Sequence, residues 1–199
     1  MTQRSTGRFF VIEGIDGCGK STQVERLVAQ QGWLATREPG GTELGATIRG
    51  LILHGSEAPT PLAEALLMAA DRAHHVATVI RPALESGTTV LCDRYAGSTV
   101  AYQGWGHQGD LDQISAINAI ATGGLLPNRT ILLDVPVDVA LGRRGSDPDR
   151  LEALDTSFHE RVRAGYLAQA AEDRDRWTVV DGTDSLAEVS AAVDRALGL

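Results

Sequence analysis

The sequence is poor in cysteine, in clustered basic charge and in long apolar runs. It holds two cysteines, Cys18 in a glycine-rich stretch and Cys92 at the end of an apolar one; this pair predicts no disulfide framework and a reducing compartment. The 18 basic residues face 26 acidic ones, giving a formal net charge of −8, and no stretch concentrates lysine and arginine. Because nucleic-acid-binding surfaces collect basic residues, we expect no nucleic-acid partner.

Membrane-directing segments are also missing. No stretch approaches the roughly 20 consecutive apolar residues that a transmembrane helix needs. Residues Met1 to Arg8 are polar and lack the apolar core of a signal peptide. We therefore expect no membrane partner and a cytoplasmic location.

What the sequence does contain is an alternation of strand-like and helix-like segments. Short, largely apolar runs predict strands at Phe9–Glu13, Leu34–Glu38, Thr89–Asp93, Thr130–Val135 and Trp177–Asp181. The segments between them carry apolar residues at helical spacing, and the last has a capping box of Ser185 and Glu188. The pattern predicts an α/β fold with a five-stranded parallel sheet and helices on both faces, formed by residues 1–199 as a single domain.

The strongest local signal is a glycine-rich loop between the first predicted strand and the first predicted helix. It satisfies the phosphate-binding pattern G-x-x-x-x-G-K-[S/T] in full. Glycines let successive backbone N–H groups point at phosphate oxygens, and the helix adds its positive N-terminal end. Lys20 would bring a mobile charge to the β- and γ-phosphates of ATP. The residues predicted to bind ATP are Gly14, Ile15, Asp16, Gly17, Cys18, Gly19, Lys20, Ser21 and Thr22.

An acid ends the third predicted strand and an arginine follows it. These two residues help to distinguish among the classes of protein that have a phosphate-binding loop. Asp93 is suited to hold Mg²⁺ together with Ser21, and Arg94 follows where two phosphorylated substrates would meet. A small GTPase would need an N-K-x-D motif at a late strand, where this chain has Leu133-Asp134-Val135-Pro136. The pattern favours a kinase that transfers a phosphoryl group between two anions.

Over nearly its whole length the sequence resembles the thymidylate kinase family, of the bacterial kind. The resemblance rests on motifs that occur in order: the phosphate-binding loop with its acid at Asp16, Arg37-Glu38-Pro39-Gly40-Gly41-Thr42, Asp71-Arg72-Ala73, Asp93-Arg94-Tyr95, Ser98 to Gly104, and Asp149-Arg150-Leu151-Glu152. It implies the P-loop nucleoside monophosphate kinase fold and ATP-dependent phosphorylation of thymidylate (dTMP) to its diphosphate. It also implies Mg²⁺ as cofactor and a homodimer.

The resemblance further implies a dTMP site. In it Asp16 accepts a hydrogen bond from the sugar 3′-hydroxyl, Tyr102 packs beneath the deoxyribose, and Thr99 and Gln103 bind the edge of thymine. The implied dTMP-binding residues are Asp16, Glu38, Pro39, Arg49, Met68, Arg72, Arg94, Ser98, Thr99, Tyr102 and Gln103. Plainer interpretations stay open, with Arg49 as a solvated helix charge and Tyr102 as a core aromatic. Met68 departs from the family, which usually has a phenylalanine stacked on thymine at this position.

A short polar segment, 143–150, is predicted to be a lid that closes over ATP. The resemblance gives a lid arginine the transition-state charge, because Gly17 stands where some thymidylate kinases have arginine. The predicted catalytic residues are Lys20, Arg94, Arg150 as the first lid candidate and Arg144 as the second; Arg143 is assigned to ATP binding. The alternative is a flexible charged loop without a catalytic role.

Rival functions also stay open. Another nucleoside monophosphate kinase would differ in the acceptor base, and a deoxynucleoside kinase would phosphorylate a hydroxyl. An ATP-dependent switch would bind nucleotide without turnover and would not need the acceptor-side residues. His107 is interpreted as a solvent-facing loop residue, and the adjacent His74 and His75 as side chains that point in different directions.

Overall fold

A parallel sheet forms the centre of the structure, a computed structural model that describes residues 6–143 and 149–199. Its strands are β1 (Phe9–Glu13), β2 (Leu34–Arg37), β3 (Val90–Asp93), β4 (Arg129–Asp134) and β5 (Trp177–Asp181). The order across the sheet is β2-β3-β1-β4-β5, and all neighbouring strands run parallel. The predicted sheet is confirmed, and the predicted ends of β2, β3 and β4 are corrected by one residue.

Helices cover both faces of this sheet. They are α1 (Lys20–Gln31), α2 (Glu43–His54), α3 (Pro61–His75), α4 (Arg81–Glu85), α5 (Ala96–Thr99), α6 (Leu111–Thr122), α7 (Val137–Gly142), α8 (Thr156–Glu172) and α9 (Leu186–Leu197). A π-helical segment, Val76–Ile80, joins α3 to α4, and a second one, Val100–Gly106, follows α5. The predicted capping box forms at Ser185 and Glu188. Within the described residues, no helix is long and apolar enough to span a membrane.

The strands divide the core into two layers because alternate side chains of a strand point to opposite faces. Phe10 and Ile12 of β1 belong to the larger apolar cluster, while Phe9 and Val11 belong to the smaller one. This explains the continuous apolar run of β1, all of which is buried. At the edge of the sheet, β2 is largely exposed.

The carboxyl ends of the parallel strands meet at one edge of the sheet. There β1 leads into the glycine-rich loop, β2 into Glu38, and β3 into Arg94. β1 lies at the centre of the sheet, between β3 and β4. The chain forms β2 and β3 on one side of β1 and then crosses to form β4 and β5 on the other side. In open parallel sheets such a position creates a crevice for ligands.

Candidate active site

The glycine-rich loop wraps around the amino group of Lys20. Lys20 is 7% exposed, and its Nζ donates to the carbonyl oxygens of Gly14 at 3.0 Å and Ile15 at 3.1 Å. Gly17 has a φ of +86°, and a Cβ there would lie 2.3 Å from the carbonyl oxygen of Ala140. In this chain, a side chain at position 17 would therefore meet both an unfavourable backbone conformation and a lack of space.

An ion pair stands where this loop meets the end of β3. Arg94 Nη2 lies 2.5 Å from Asp16 Oδ1, and the Tyr102 hydroxyl donates to Asp16 Oδ2 at 2.7 Å. Burial alone raises the pKa of Asp16, but the charges of Arg94 and Lys20 and the Tyr102 hydrogen bond bring it well below its usual range. The carboxylate is therefore ionised at neutral pH.

Arg94 is held by further protein oxygens and leaves one donor unused. Its Nη1 donates to the Gly14 carbonyl oxygen at 2.9 Å and to the Tyr166 hydroxyl at 2.8 Å. Its backbone φ is +68°, in the left-handed region that non-glycine residues seldom adopt. No described residue accepts from its Nε–H. The guanidinium is thus fixed in place with a donor to spare.

A buried carboxylate, that of Glu13, forms hydrogen bonds with residues that contact Arg94 or follow it in the chain. Glu13, at the end of β1, accepts from the backbone N–H of Tyr95 and, through its other oxygen, from the hydroxyls of Ser98 and Tyr166 at 2.7 and 3.0 Å. Burial raises the pKa of Glu13. Because Tyr166 also touches Arg94, α8 is linked to the end of β3 through this network.

A cavity of about 520 Å³ lies between α2, α3 and the segment from β3 to Gly106. All the residues predicted to bind dTMP line it, and they come from separate stretches of the chain. Leu53, Asp149 and Leu151 complete the wall and were not predicted. The structure thus brings the predicted acceptor residues together, while their individual roles stay predictions.

Arg72 is a buried residue of this cavity wall. It is 2% exposed, and its guanidinium donates to Glu38 at 2.8 Å, to Thr99 at 3.1 Å and to Asn118 at 2.7 Å. A further bond reaches the Tyr95 carbonyl oxygen at 3.1 Å. Four of its five N–H groups are therefore satisfied by described residues, and one on Nη2 is left. Its ion pair with Glu38 is therefore a buried one and not a surface salt bridge.

The other oxygen of Glu38 is held by a buried histidine. His75 Nδ1 lies 2.9 Å from Glu38 Oε1, and its Nε2 lies 2.6 Å from the Thr36 hydroxyl. His75 is fully buried whereas His74 is exposed. The two histidines point in different directions, as predicted.

A second, more open cavity of about 1250 Å³ adjoins the first along the glycine-rich loop. Of the predicted ATP-binding residues, those that border it are Asp16, Gly17, Gly19, Lys20, Ser21, Thr22 and Arg143. Gly14, Ile15 and Cys18 do not line it; Ile15 and Cys18 are 2% exposed. Arg37 and Glu152 also border this cavity and were missed, although both stand within motifs that the sequence singled out.

The residues predicted to hold Mg²⁺ fit such an ion. Ser21 and Asp93 both border the second cavity. Asp93 Oδ1 is buried without a hydrogen-bond partner among the described residues, which is the state of an oxygen reserved for a ligand. Within residues 6–143 and 149–199, no cluster of three or more His, Cys, Asp or Glu could cage a metal alone. That donor set suits Mg²⁺, which usually keeps waters and phosphate oxygens in its shell.

The arginines of the predicted lid do not form a common group in the structure. Arg150 borders neither cavity; its Nε donates to the Ile52 carbonyl oxygen at 2.7 Å and its Nη2 to the buried carboxylate of Glu64. Arg144 lies outside the described residues, as does most of the predicted lid. Arg143 donates to the Gly182 carbonyl oxygen at 2.9 Å. Transition-state roles for Arg150 and Arg144 therefore stay predictions.

The interpretation of His107 as solvent-facing is wrong. Its ring is only partly exposed, packs on Phe158 with the centroids 4.9 Å apart, and places Nε2 3.4 Å from Glu64 Oε1. Glu64 itself and Glu13 were also missed, because a single acid in a helix or at a strand end carries no signal of burial in the sequence.

Comparisons with known proteins agree with this geometry. The model of the thymidylate kinase family matches residues 12–193. Thymidylate kinase of Synechococcus sp. (strain CC9605) is 50% identical over 96% of this chain and 97% of its own length. That of Leifsonia xyli subsp. xyli (strain CTCB07) is 51% identical over 94% of this chain and 92% of its own length.

A solved structure is similar as well. Thymidylate kinase from Ehrlichia chaffeensis superposes with a TM-score of 0.80 at 31% identity, covering 98% of this chain and 99% of that one. The chain belongs to the thymidylate kinase family.

Proposed function

We propose that this enzyme transfers the γ-phosphoryl group of ATP to the 5′-phosphate of dTMP. One observation carries the proposal: the residues implied for dTMP, drawn from stretches between Asp16 and Gln103, line a single cavity that opens onto the phosphate-binding loop. A nucleotide-binding switch would have no use for this acceptor cavity beside the phosphate-binding loop.

The chain would act mainly by positioning two anions. Lys20 and the N–H groups of the loop would bind the phosphates of ATP, with Lys20 exchanging its bonds to loop carbonyls for phosphate oxygens. Arg94, fixed by Asp16 and Tyr166 at the boundary of the two cavities, offers its free Nε–H to the phosphates that meet there. The acceptor phosphate is already ionised, so no protein base is required.

Mg²⁺ is part of the proposal. Ser21 and Asp93 would hold it, and when bound it would neutralise charge on the phosphates of ATP. Asp16 and Tyr102 would contact the deoxyribose, and their mutual hydrogen bond keeps both side chains in position for it. We further propose that the chain acts as one kinase domain in which the segment 143–150 closes over ATP, with Arg150 or Arg144 reaching the transferring group.

The test is an assay of ADP release with Mg-ATP and one acceptor at a time: dTMP, dUMP, thymidine and the other deoxynucleoside monophosphates. We expect dTMP to give the highest kcat/KM. A preference for thymidine would mean that the acceptor is a hydroxyl and that the assigned roles of Arg49 and Arg94 are wrong. Nucleotide binding without turnover of any acceptor would favour a switch.

We also propose that the enzyme is a homodimer. Large apolar side chains are half or more exposed on three helices that pack side by side: Leu51 on α2, Leu62 and Leu66 on α3, and Ile120 on α6, which is 82% exposed. A second copy of the chain would cover them, because apolar side chains grouped on neighbouring helices are typical of subunit interfaces.

Both cysteines are free and buried, which suits a reducing cytoplasm.

A further inference from the structure

A buried carboxylate lies against the base-binding residues of the acceptor cavity and has no role in the proposed chemistry. Glu64 of α3 is completely buried. Its Oε1 accepts from Gln103 Nε2 at 2.6 Å and lies 3.4 Å from His107 Nε2, while its Oε2 accepts from Arg150. A charge buried this deeply is costly unless it is paired, and here Gln103 and Arg150 each donate a hydrogen bond to it.

The contact with Gln103 decides which way its side-chain amide points. An ionised carboxylate can only accept hydrogen bonds, so the group that faces Glu64 must be the NH₂ of the amide. The amide oxygen of Gln103 then faces away from Glu64, and no described residue donates a hydrogen bond to it. Gln103 lines the acceptor cavity, so this oxygen is the polar group it can offer to a bound base.

Glu64 keeps its charge in this environment. Burial alone raises the pKa of Glu64, but the neighbouring His107 and the hydrogen bonds from Arg150 and Gln103 lower it below the ordinary value. The carboxyl group therefore does not become a donor near neutral pH. Arg150 and His107 are the basic groups that face it, from the segment after residue 148 and from the end of the π-helical segment.

A donor lines the same cavity. Arg72 has one N–H on Nη2 without a described partner. The pair of an Arg72 donor and a Gln103 acceptor matches thymine, whose O4 accepts and whose N3–H donates. Cytosine presents the reverse, an amino group at C4 and an unprotonated N3. The pattern of hydrogen-bond donors and acceptors that the cavity presents to a base thus depends on the orientation of the Gln103 amide.

We propose that Glu64 is a specificity-determining residue, which fixes the Gln103 amide with its oxygen toward the acceptor cavity and thereby makes that cavity select a thymine edge over a cytosine edge. The inference rests on the proposed dTMP kinase activity. Glu64 acts through Gln103 and not on the substrate, so it is a positioning residue.

The decisive variant is Glu64→Gln, which keeps the shape of the side chain. A glutamine at 64 can donate to the Gln103 oxygen, so the Gln103 amide is free to turn and present its NH₂ to N3 of cytosine. We expect the ratio of kcat/KM for dTMP to that for dCMP to fall by roughly ten- to a hundredfold, the range for one misdirected hydrogen bond. Glu64→Asp keeps an acceptor-only group and should keep the wild-type preference.

Glu57→Gln is the matched control, since it makes the same chemical change on an exposed side chain just before α3; its ratio should equal that of the wild type. The proposal is overturned if Glu64→Gln lowers turnover of dTMP and dCMP equally, because a purely structural role predicts that result. Should Glu64→Gln fail to fold, Gln103→Met with Glu64 intact must lower the ratio, and an unchanged ratio there also overturns the proposal.

The wild-type assay separates this inference from the proposed function. If the wild type turns over no acceptor, the proposed activity is wrong. The preference is then measured as binding of dTMP and dCMP to the wild type and Glu64→Gln by calorimetry. A thymine preference that Glu64→Gln removes supports the inference, and equal binding of the two nucleotides by the wild type overturns it.

Discussion

At the scale of single residues, Asp71 is an acid in an unfavourable position. It is fully buried on α3, its Oδ1 accepts a long bond of 3.4 Å from the Gly40 N–H, and its Oδ2 has no described partner. Burial and the nearby charge of Glu38 raise the pKa of Asp71 from 3.8 to about 6. The folded protein therefore binds a proton here more tightly than the unfolded chain does.

Asp71→Asn should consequently stabilise the enzyme at neutral pH. Because the folded-state pKa is raised, the free energy of unfolding of the wild type falls as pH rises from the unfolded value of 3.8 to about 6 and then levels off. Asparagine does not titrate, so the advantage of the variant should grow by up to about 3 kcal/mol between about pH 4 and pH 7. Urea unfolding at both pH values measures it; a difference that does not change with pH would contradict the assignment.

Met68 offers a second test at this scale, since its thioether lines the acceptor cavity. Met68→Phe would replace a soft contact with an aromatic ring able to stack on a base, worth about 0.5–1.5 kcal/mol. We expect KM for dTMP to fall about two- to tenfold with kcat nearly unchanged. KM for ATP serves as the internal reference, and a KM for dTMP that stays at the wild-type value would show that Met68 does not face the base.

At the scale of elements, the packing of α8 against the π-helical segment depends on small residues. A Cβ at Gly165 of α8 would lie 2.6 Å from Cγ of Trp105, and one at Gly106 would lie 2.7 Å from Phe158. These contacts are to the rigid part of an indole and to a ring, neither of which can yield easily. Since α8 also carries Tyr166 to Arg94, the close approach of the two elements helps to position the candidate active site.

Gly165→Ala should therefore destabilise the enzyme, although alanine is the better helix former. The gain in helix propensity, about 1 kcal/mol, is outweighed by an overpacking cost of about 1–3 kcal/mol. Gly142→Ala, in the last turn of α7, is the matched control: its Cβ would meet nothing within 4 Å, so we expect no loss of stability. The midpoints of urea denaturation compare the two, and equal shifts would contradict the close packing.

The elements also show what the sequence can and cannot predict. β1 and β3 were predictable because strands buried on both faces have continuous apolar sequences. α5, α7 and the π-helical segments were not, because a few residues do not establish a helical period. Most residues of the acceptor-cavity wall were predictable from family motifs, whereas Glu13, Glu64 and Asn118 were not. Their hydrogen bonds join segments far apart in the chain, and only the folded structure shows that these polar groups are buried.

At the scale of the whole molecule, the exposed leucines of α2 and α3 belong to the proposed dimer interface. A single charged substitution among them should therefore prevent dimerisation. Leu51→Glu would bury a carboxylate in the proposed dimer interface and should convert the dimer to a monomer in light scattering after gel filtration. Leu186→Glu, on α9 at a side chain 61% exposed, is the control that should remain dimeric. A wild type that is monomeric at micromolar concentration would exclude the dimer.

The two cavities share a wall formed by Asp16, Glu38, Arg49 and Arg94. Any ligand that reorients one of these side chains in its own cavity changes the surface that the other ligand meets. We therefore expect the affinities of the two substrates to be coupled, and reciprocity requires each to alter the binding of the other by the same factor. The size of this coupling does not depend on which substrate binds first. A bisubstrate molecule that joins both nucleotides through a phosphate chain would occupy both cavities at once and would gain the coupling free energy in a single binding event.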